Sequence, residues 1–297
     1  LRFSKGVLEP GEFLHMAAAK VGDTYHAELQ SAFDAAVSAN GTVESLRDLT
    51  TRTNVVIVGT GTNETFVTFR NDHEILFENY VKSEEDKPGY NLYSFLVCDA
   101  TVTLDVDDAT AQILDVANCT LKLKGEKTLT VKTLLEILDG GTLCQAEAGN
   151  SVHVEGSAYV RSGGVWTHAE NGSGAADLGY GVKAQVDGNL TIDQNGKVSA
   201  FGCGYGVKLG PGAALSHHAI GASHGARMSI SADRTYNALA SYGSMYRPND
   251  LGSGGWYGAG GGRVLLNVRG TLDVSGSIDA SGTSGAWCNP SGGYVQL

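Results

Sequence analysis

Asp105, Asp107 and Asp108 form the acidic cluster best placed for chemistry in this chain. Carboxylates grouped in this way can act as general acid and base on a polysaccharide or hold Ca²⁺ beside a basic residue. On a strand, Asp105 and Asp107 share one face and Asp108 points away. No Gly-His-Gly or Arg-x-Lys motif accompanies them, and Ser223-His224-Gly225 is only a partial echo. They read as solvated strand-edge carboxylates. His217, His218 and His224, with Cys203 upstream, supply metal-ligand types, but no C-x-x-C or H-E-x-x-H spacing arranges three or four of them tetrahedrally. They read as loop histidines. Ser223 and His224 are neighbours in sequence, which rarely gives a nucleophile and base the geometry they need. Gly252–Gly262 lacks the Gly-Lys-Ser/Thr ending of a phosphate loop. No catalytic residue, metal site or cofactor is expected.

The five cysteines are candidates for disulfides. Cys98, Cys119 and Cys144 lie 21 and 25 residues apart, about one coil of a parallel β-helix each. Strands on adjacent coils lie about 4.8 Å apart, within disulfide reach. Cys98–Cys119 is one candidate bridge and Cys119–Cys144 the alternative, with small buried thiols as the competing reading. Cys203 and Cys288 complete the set, and the odd number leaves one cysteine over or pairing between chains. Five glycosylation sequons begin at Asn40, Asn63, Asn118, Asn171 and Asn189. Asn63 and Asn171 sit in stretches that read as loops and are the preferred carriers. Tyr242, Tyr246, Trp256 and Tyr257 offer flat aromatic faces for subunit packing or sugar stacking, or else fold back over the strands beneath them.

The elements that hold these residues are short. The chain has 297 residues, 41 of them glycine, and a formal net charge of -11. Residues 1–148 carry 10 glycines and all of the net charge, whereas residues 149–297 carry 31 glycines and are neutral. A chain this acidic is a poor partner for nucleic acid, and no apolar run is long enough to span a membrane. The neutral Gly-rich half suits association, since little repulsion keeps copies apart. Asp23–Asn40 reads as a helix, with Tyr25, Leu29, Phe33 and Ala36 on one face and Asn40-Gly41 as its stop. Beyond it, apolar and polar residues alternate in runs of 3–6 residues split by Gly, Asn, Asp or Ser. Val186–Gly202 and Val268–Gly282 repeat the pattern V-x-G-x-L-x-(I/V)…G-x-(V/I)-x-A-x-G, the second copy lacking two residues. Together these features predict an all-β parallel β-helix with a small N-terminal α/β capping region. Residues 1–50 form the cap, 51–180 the acidic coils, and 181–297 the Gly-rich coils with a long loop over 203–262. The last residues, Gly293–Leu297, read as the opening of another strand, so a longer polypeptide is expected.

Gly221-Ala-Ser-His-Gly225, Ala240-Ser-Tyr-Gly-Ser244, Tyr246-Arg-Pro248, Asp250-Leu-Gly-Ser-Gly-Gly255 and Gly260-Gly-Gly-Arg263 resemble runs in Gly-rich extracellular proteins. These are large bacterial surface proteins and the mastigoneme-like proteins of stramenopile flagellar hairs. The likeness covers about 40% of the chain, from Gly181 to Leu297. Leu29–Thr42 is similar to the capping helix that opens many pectin-lyase-like β-helices. The resemblance implies a secreted structural subunit that packs against copies of itself, or against other surface proteins, in a filament or appendage. The alternatives are a glycan-binding adhesin using the Tyr/Trp surface and a β-helix polysaccharide lyase or hydrolase.

Overall fold

The structure is a computed structural model. It describes residues 17–46, 49–51, 55–58, 66–71, 75–77, 95–98, 101–106, 109–124, 128–171, 179–214, 221–225, 241–244, 249–284 and 289–297. Among these the secondary structure is strand, with a single helix.

The chain opens with an antiparallel hairpin, β1 (Ala19–Val21) and β2 (Thr24–His26), followed by helix α1 (Leu29–Ala39) and β3 (Thr42–Ser45). The helix starts six residues later than its sequence pattern predicts, because Thr24–His26 pairs with Ala19–Val21 around a Gly22-Asp23 turn. It stops where expected, with Asn40 in the left-handed conformation. Leu29, Phe33 and Ala36 are buried, and Phe33 meets Phe69 edge-on at 5.2 Å.

From here the chain repeats one circuit. The first circuit contains β4 (Leu49–Thr51), β5 (Val55–Val58) and β6 (Phe66–Asn71), and the next β7 (Ile75–Phe77), β8 (Phe95–Cys98) and β9 (Thr101–Val106). In the two circuits that follow, the first two strands merge into one: β10 (Ala109–Ala117) with β11 (Thr120–Lys124), then β12 (Thr128–Ile137) with β13 (Thr142–Gln145). Next come β14 (Ser151–Val154), β15 (Ser157–Val160) and β16 (Val165–His168), then β17 (Val182–Val186), β18 (Leu190–Ile192) and β19 (Lys197–Ser199). After a long excursion the last circuit holds β20 (Arg263–Val268), β21 (Leu272–Val274) and β22 (Ser277–Asp279), and β23 (Tyr294–Gln296) begins another. Each strand pairs in parallel with its counterpart one circuit away, giving two sheets curled around one core.

Alternation puts one residue in two into that core. Val102, Leu121, Leu143, Trp166 and Val198 occupy one inward row on successive circuits, all buried. Ile57, Val116, Ile137, Val160 and Ile192 line the other sheet in the same way. The sequence repeat is two adjacent circuits: Leu190 faces Leu272, Ile192 faces Val274 and Val198 faces Ile278. Its two missing residues fall in a corner, where Ser275-Gly276 replaces Asp193-Gln194-Asn195-Gly196.

That corner recurs at a fixed place. Asn118, Gly140, Gly163 and Asn195, each between the second and third strand of its circuit, all have positive φ. Gly and Asn adopt this conformation at least cost. At the first edge, α1 closes the sheet with a side chain: Gln30 Nε2 donates to Val56 O at 2.7 Å, and Val56 N donates to Gln30 Oε1 at 2.8 Å. The amide thus pairs with β5 as a neighbouring strand would.

The excursion from Ala200 to Gly262 explains the glycine content. Among its described residues there is no strand or helix, and extended backbones lie directly on one another. Gly204 N donates to Gly260 O at 2.8 Å, Gly260 N to Tyr205 O at 2.8 Å and Gly252 N to Gly261 O at 2.8 Å. A Cβ on Gly260 would fall 1.8 Å from Gly252 O. Gly260→Ala is expected to lower stability by roughly 2–4 kcal/mol, whereas Asn195→Gly at a corner changes it by only a few tenths. Urea denaturation of the two variants checks the contrast.

Candidate functional site

A groove of about 730 Å³ runs across the outer faces of β12, β14, β17, β20 and β23. Two rows of outward side chains build it. Ser151 faces Thr128, their hydroxyls 2.8 Å apart, and farther along Leu265 faces Lys183 on one side and Gln296 on the other. In the second row Gln185 stands between His153 and Asn267. Asp187, at the margin, receives Gln185 Nε2 at 2.9 Å, His153 Nε2 at 2.9 Å and Arg269 at 3.3 Å. The Gln185 and His153 bonds hold its carboxyl below the usual range. No carboxylate lines the groove itself, although the chain as a whole is acidic.

A second cluster lies on the neighbouring outer face. Asp115 stands opposite Glu136, and Glu136 opposite Tyr159. Arg161 donates to Glu136 Oε1 at 2.9 Å from Nε and 2.5 Å from an Nη, reaches Asp193 at 3.4 Å, and lies 4.0 Å over the Tyr159 ring. Asp115 is 1% exposed, and its Oδ1 has no hydrogen-bond partner among the described residues. Burial, then the neighbouring Glu136, pushes its carboxyl up to about 8. A carboxyl kept protonated near neutral pH is in the state that a general acid needs. Its burial, however, keeps Asp115 from contact with a substrate.

The third polar group is inside. Gln145 and His168 occupy adjacent circuits of an inward row that also holds Val43, Phe69, Leu104 and Leu123. Gln145 Nε2 donates to Asn150 O at 3.0 Å and Lys183 O at 3.1 Å, while its Oε1 accepts from Lys183 N and from Trp166 Nε1. His168 Nδ1 donates to Ala169 O at 2.7 Å, and its Nε2 accepts Arg263 N at 3.2 Å, where the chain returns from the excursion. Burial drives this imidazole down to about 4.

Few of the residues singled out by sequence belong to these clusters. Asp105 forms an ion pair with Lys124 at 3.5 Å on the other sheet; Asp107 and Asp108 lie outside the described residues, as do His217 and His218. His224 Nδ1 donates to Gly292 O, 2.9 Å away, and the ring stacks on Tyr242. Among the described residues no three His, Cys, Asp or Glu gather as for a metal.

The expected disulfides are corrected. The ladder advances from Thr101 to Thr120 to Thr142, so the cysteine spacings overshoot it. Cys98 lies opposite Ala117, and Cys144 opposite Lys122. Cys119 is therefore offset from both by two or three positions, and no bridge joins it to either. The side chain of Cys98 and the whole of Cys288 lie outside the described residues. Asn171 is also corrected as a glycan carrier: it is fully buried and bridges to Tyr205. Asn40, Asn118 and Asn189 are exposed, and Asn63 is outside the described residues.

The aromatic surface is partly internal. Tyr242 OH donates to Leu251 O at 2.5 Å and accepts from Ser253 Oγ, and burial pushes its phenol up to about 12. Trp256 is half-buried under Lys208 Nζ, 3.5 Å from its ring. Tyr257 is 56% exposed, and Tyr246 lies outside the described residues. Phe201 and Val207 are 48% and 45% exposed, although sequence reading did not pick them out. Phe201-Gly202 and Tyr257-Gly258 flank Thr283, and Val207-Lys208 adjoins Gly255-Trp256.

No protein-family model, curated protein or solved structure matches the chain.

The two buried groups act oppositely on stability. Folding raises the Asp115 pKa from 3.8 to about 8, so the native state holds the extra proton between these values and stability falls as pH rises through them. Folding lowers the His168 pKa from 6.5 to about 4, so the unfolded chain holds that proton and stability rises with pH across 4–6.5. Of these two groups, Asp115 alone titrates from 6.5 to 8. The melting temperature of the wild type should drop over that interval, and Asp115→Asn should flatten the drop and stabilise the protein at pH 8 by on the order of several kcal/mol. Thermal melts at pH 6.5 and 8 read the slope directly.

Proposed function

We propose that the chain is a parallel β-helix serving as a structural subunit of an extracellular filament or surface appendage, of the flagellar-hair type that its Gly-rich runs resemble. The observation that carries this reading is that Phe201, Val207 and Tyr257, all on the glycine-packed excursion, are large apolar side chains left exposed. Large apolar side chains exposed on a neutral surface favour contact with another macromolecule, and a second copy presents the same side chains for a two-fold contact. Stacked parallel ladders supply stiffness along the rod, and exposed sequon asparagines at Asn40, Asn118 and Asn189 suit a secreted protein. Among the described residues no helix is long and apolar enough to cross a membrane.

Wild-type protein should associate in sedimentation velocity at micromolar concentration and form regular assemblies in electron micrographs. Phe201→Asp with Tyr257→Asp should shift it to monomer without lowering the melting temperature, because both side chains are exposed. A wild type that stays monomeric under these conditions sinks the reading.

The groove favours a second reading, glycan binding. Hydroxyl, amide and imidazole groups repeat at the strand spacing of about 4.8 Å, roughly the length of a sugar unit, and Lys183 is the one charge of fixed sign lining it. Gln185→Ala with Asn267→Ala should weaken binding of an extended oligosaccharide about tenfold or more. Calorimetry against neutral and uronate oligosaccharides checks this, and absence of binding by the wild type rejects it.

A further inference from the structure

One carboxylate beside the groove holds two of its lining side chains in place. Asp187 follows β17, and its backbone N donates to Val154 O at 2.8 Å, so the ladder fixes its position between β14 and β17. Its two oxygens take different partners. Oδ1 accepts Gln185 Nε2 at 2.9 Å and Oδ2 accepts His153 Nε2 at 2.9 Å, while Arg269 Nη1 lies 3.3 Å from Oδ1. Gln185 Nε2 and His153 Nε2, 3.3 Å apart, thus converge on one ionised group. An ionised carboxylate can only accept. The His153 proton is therefore on Nε2, and Nδ1 keeps its lone pair. The Gln185 amide likewise gives its NH₂ to Asp187, which leaves the carbonyl Oε1 as its other end. Among the described residues neither His153 Nδ1 nor Gln185 Oε1 has a hydrogen-bond partner.

We propose that Asp187 is a positioning residue that sets the groove to accept hydrogen bonds, and that the ligand is an uncharged glycan recognised through its hydroxyl protons. This rests on the glycan reading of the groove and selects a class within it. A sugar hydroxyl donates to an imine nitrogen or a carbonyl oxygen. A uronate unit replaces one such donor with a carboxylate, whose lone pairs would meet those of Nδ1 and Oε1. Lys183, the one charge of fixed sign in the lining, directs its Nζ to Ala148 O at 2.6 Å, a group outside the lining. His153 and Gln185 face each other across one ladder step of about 4.8 Å, so the two acceptors reach hydroxyls of the same or adjacent sugar units. Holding both before the ligand arrives removes the cost of ordering them on binding.

The test uses the full chain at pH 8, ¹⁵N-labelled on histidine, with the His153 signals assigned by their loss in His153→Asn. Nuclear magnetic resonance of the ligand-free wild type should place the proton on Nε2, and Asp187→Asn should move it to Nδ1 or mix the two forms. Calorimetry then compares β-1,4-linked glucose and mannose tetrasaccharides with their C6-oxidised uronate counterparts. The wild type should bind a neutral member about tenfold or more tighter than its uronate, and Asp187→Asn should weaken that binding on the order of tenfold. A wild-type His153 protonated on Nδ1 overturns the proposal. So does binding that favours the uronate, or that Asp187→Asn leaves intact, and in these two cases the glycan reading stands. Binding of neither series sinks the glycan reading itself, and this assignment with it.

Discussion

Every element past Ser45 depends on one constraint, the parallel register between a strand and its counterpart one circuit away. A slip of one residue would turn each inward row outward, exposing Leu121, Leu143 and Trp166 and burying Lys122 and Thr167. The apolar rows resist a slip on energetic grounds, and the left-handed corner resists it on conformational ones. Asn118, Gly140, Gly163 and Asn195 stand at equivalent corners, so moving the register by one would place a side chain with a costly positive φ at each of them. The cap matters for the same reason. Gln30 supplies β5 with the backbone partners that a preceding circuit would otherwise provide.

Polar groups enter this framework only where the ladder is interrupted. Gln145 and His168 take inward positions at the circuits where the chain leaves the regular path, first at the 146–150 turn and then at the return from the excursion. Each satisfies backbone groups that no strand reaches, which is the condition under which a buried polar side chain is tolerated. His168 must stay neutral to do so, because its Nε2 accepts the Arg263 amide. Asp115 is the converse: a carboxyl on an outer face that stays protonated because it is buried, with Glu136 beside it.

Local pattern made much of this legible. Alternation in Thr142–Gln145 or Ser157–Val160 marks the inward residues directly, and the repeat at Val186 and Val268 marks two circuits that turn out to be stacked neighbours. The helix stop at Asn40 was equally clear. What pattern could not supply is circuit length. Circuits here differ by several residues, and this difference undoes the inferred cysteine pairs and hides the pairing of Asp115 with Glu136. The groove was invisible for the same reason, since His153, Gln185 and Asn267 share a row only once three registers are known. Asn171 looked like a loop position because Gly and Ser surround it, yet its backbone pairs with Tyr205.

Glycine shows most clearly how composition misleads without geometry. An excess of it reads naturally as many tight turns or as a surface made for assembly. In the excursion it mostly does neither. Gly204, Gly252 and Gly260 let extended backbones approach until their amides bond one another, at distances that leave no room for a Cβ. Such packing buries little apolar area per residue, so it needs an absence of charge and a firm anchor at each end. The neutral balance of the second half supplies the first condition, and the His168–Arg263 contact supplies an anchor at the return. Tyr205 and Leu251 still find buried places in this packing, whereas Phe201, Val207 and Tyr257 are left exposed on it.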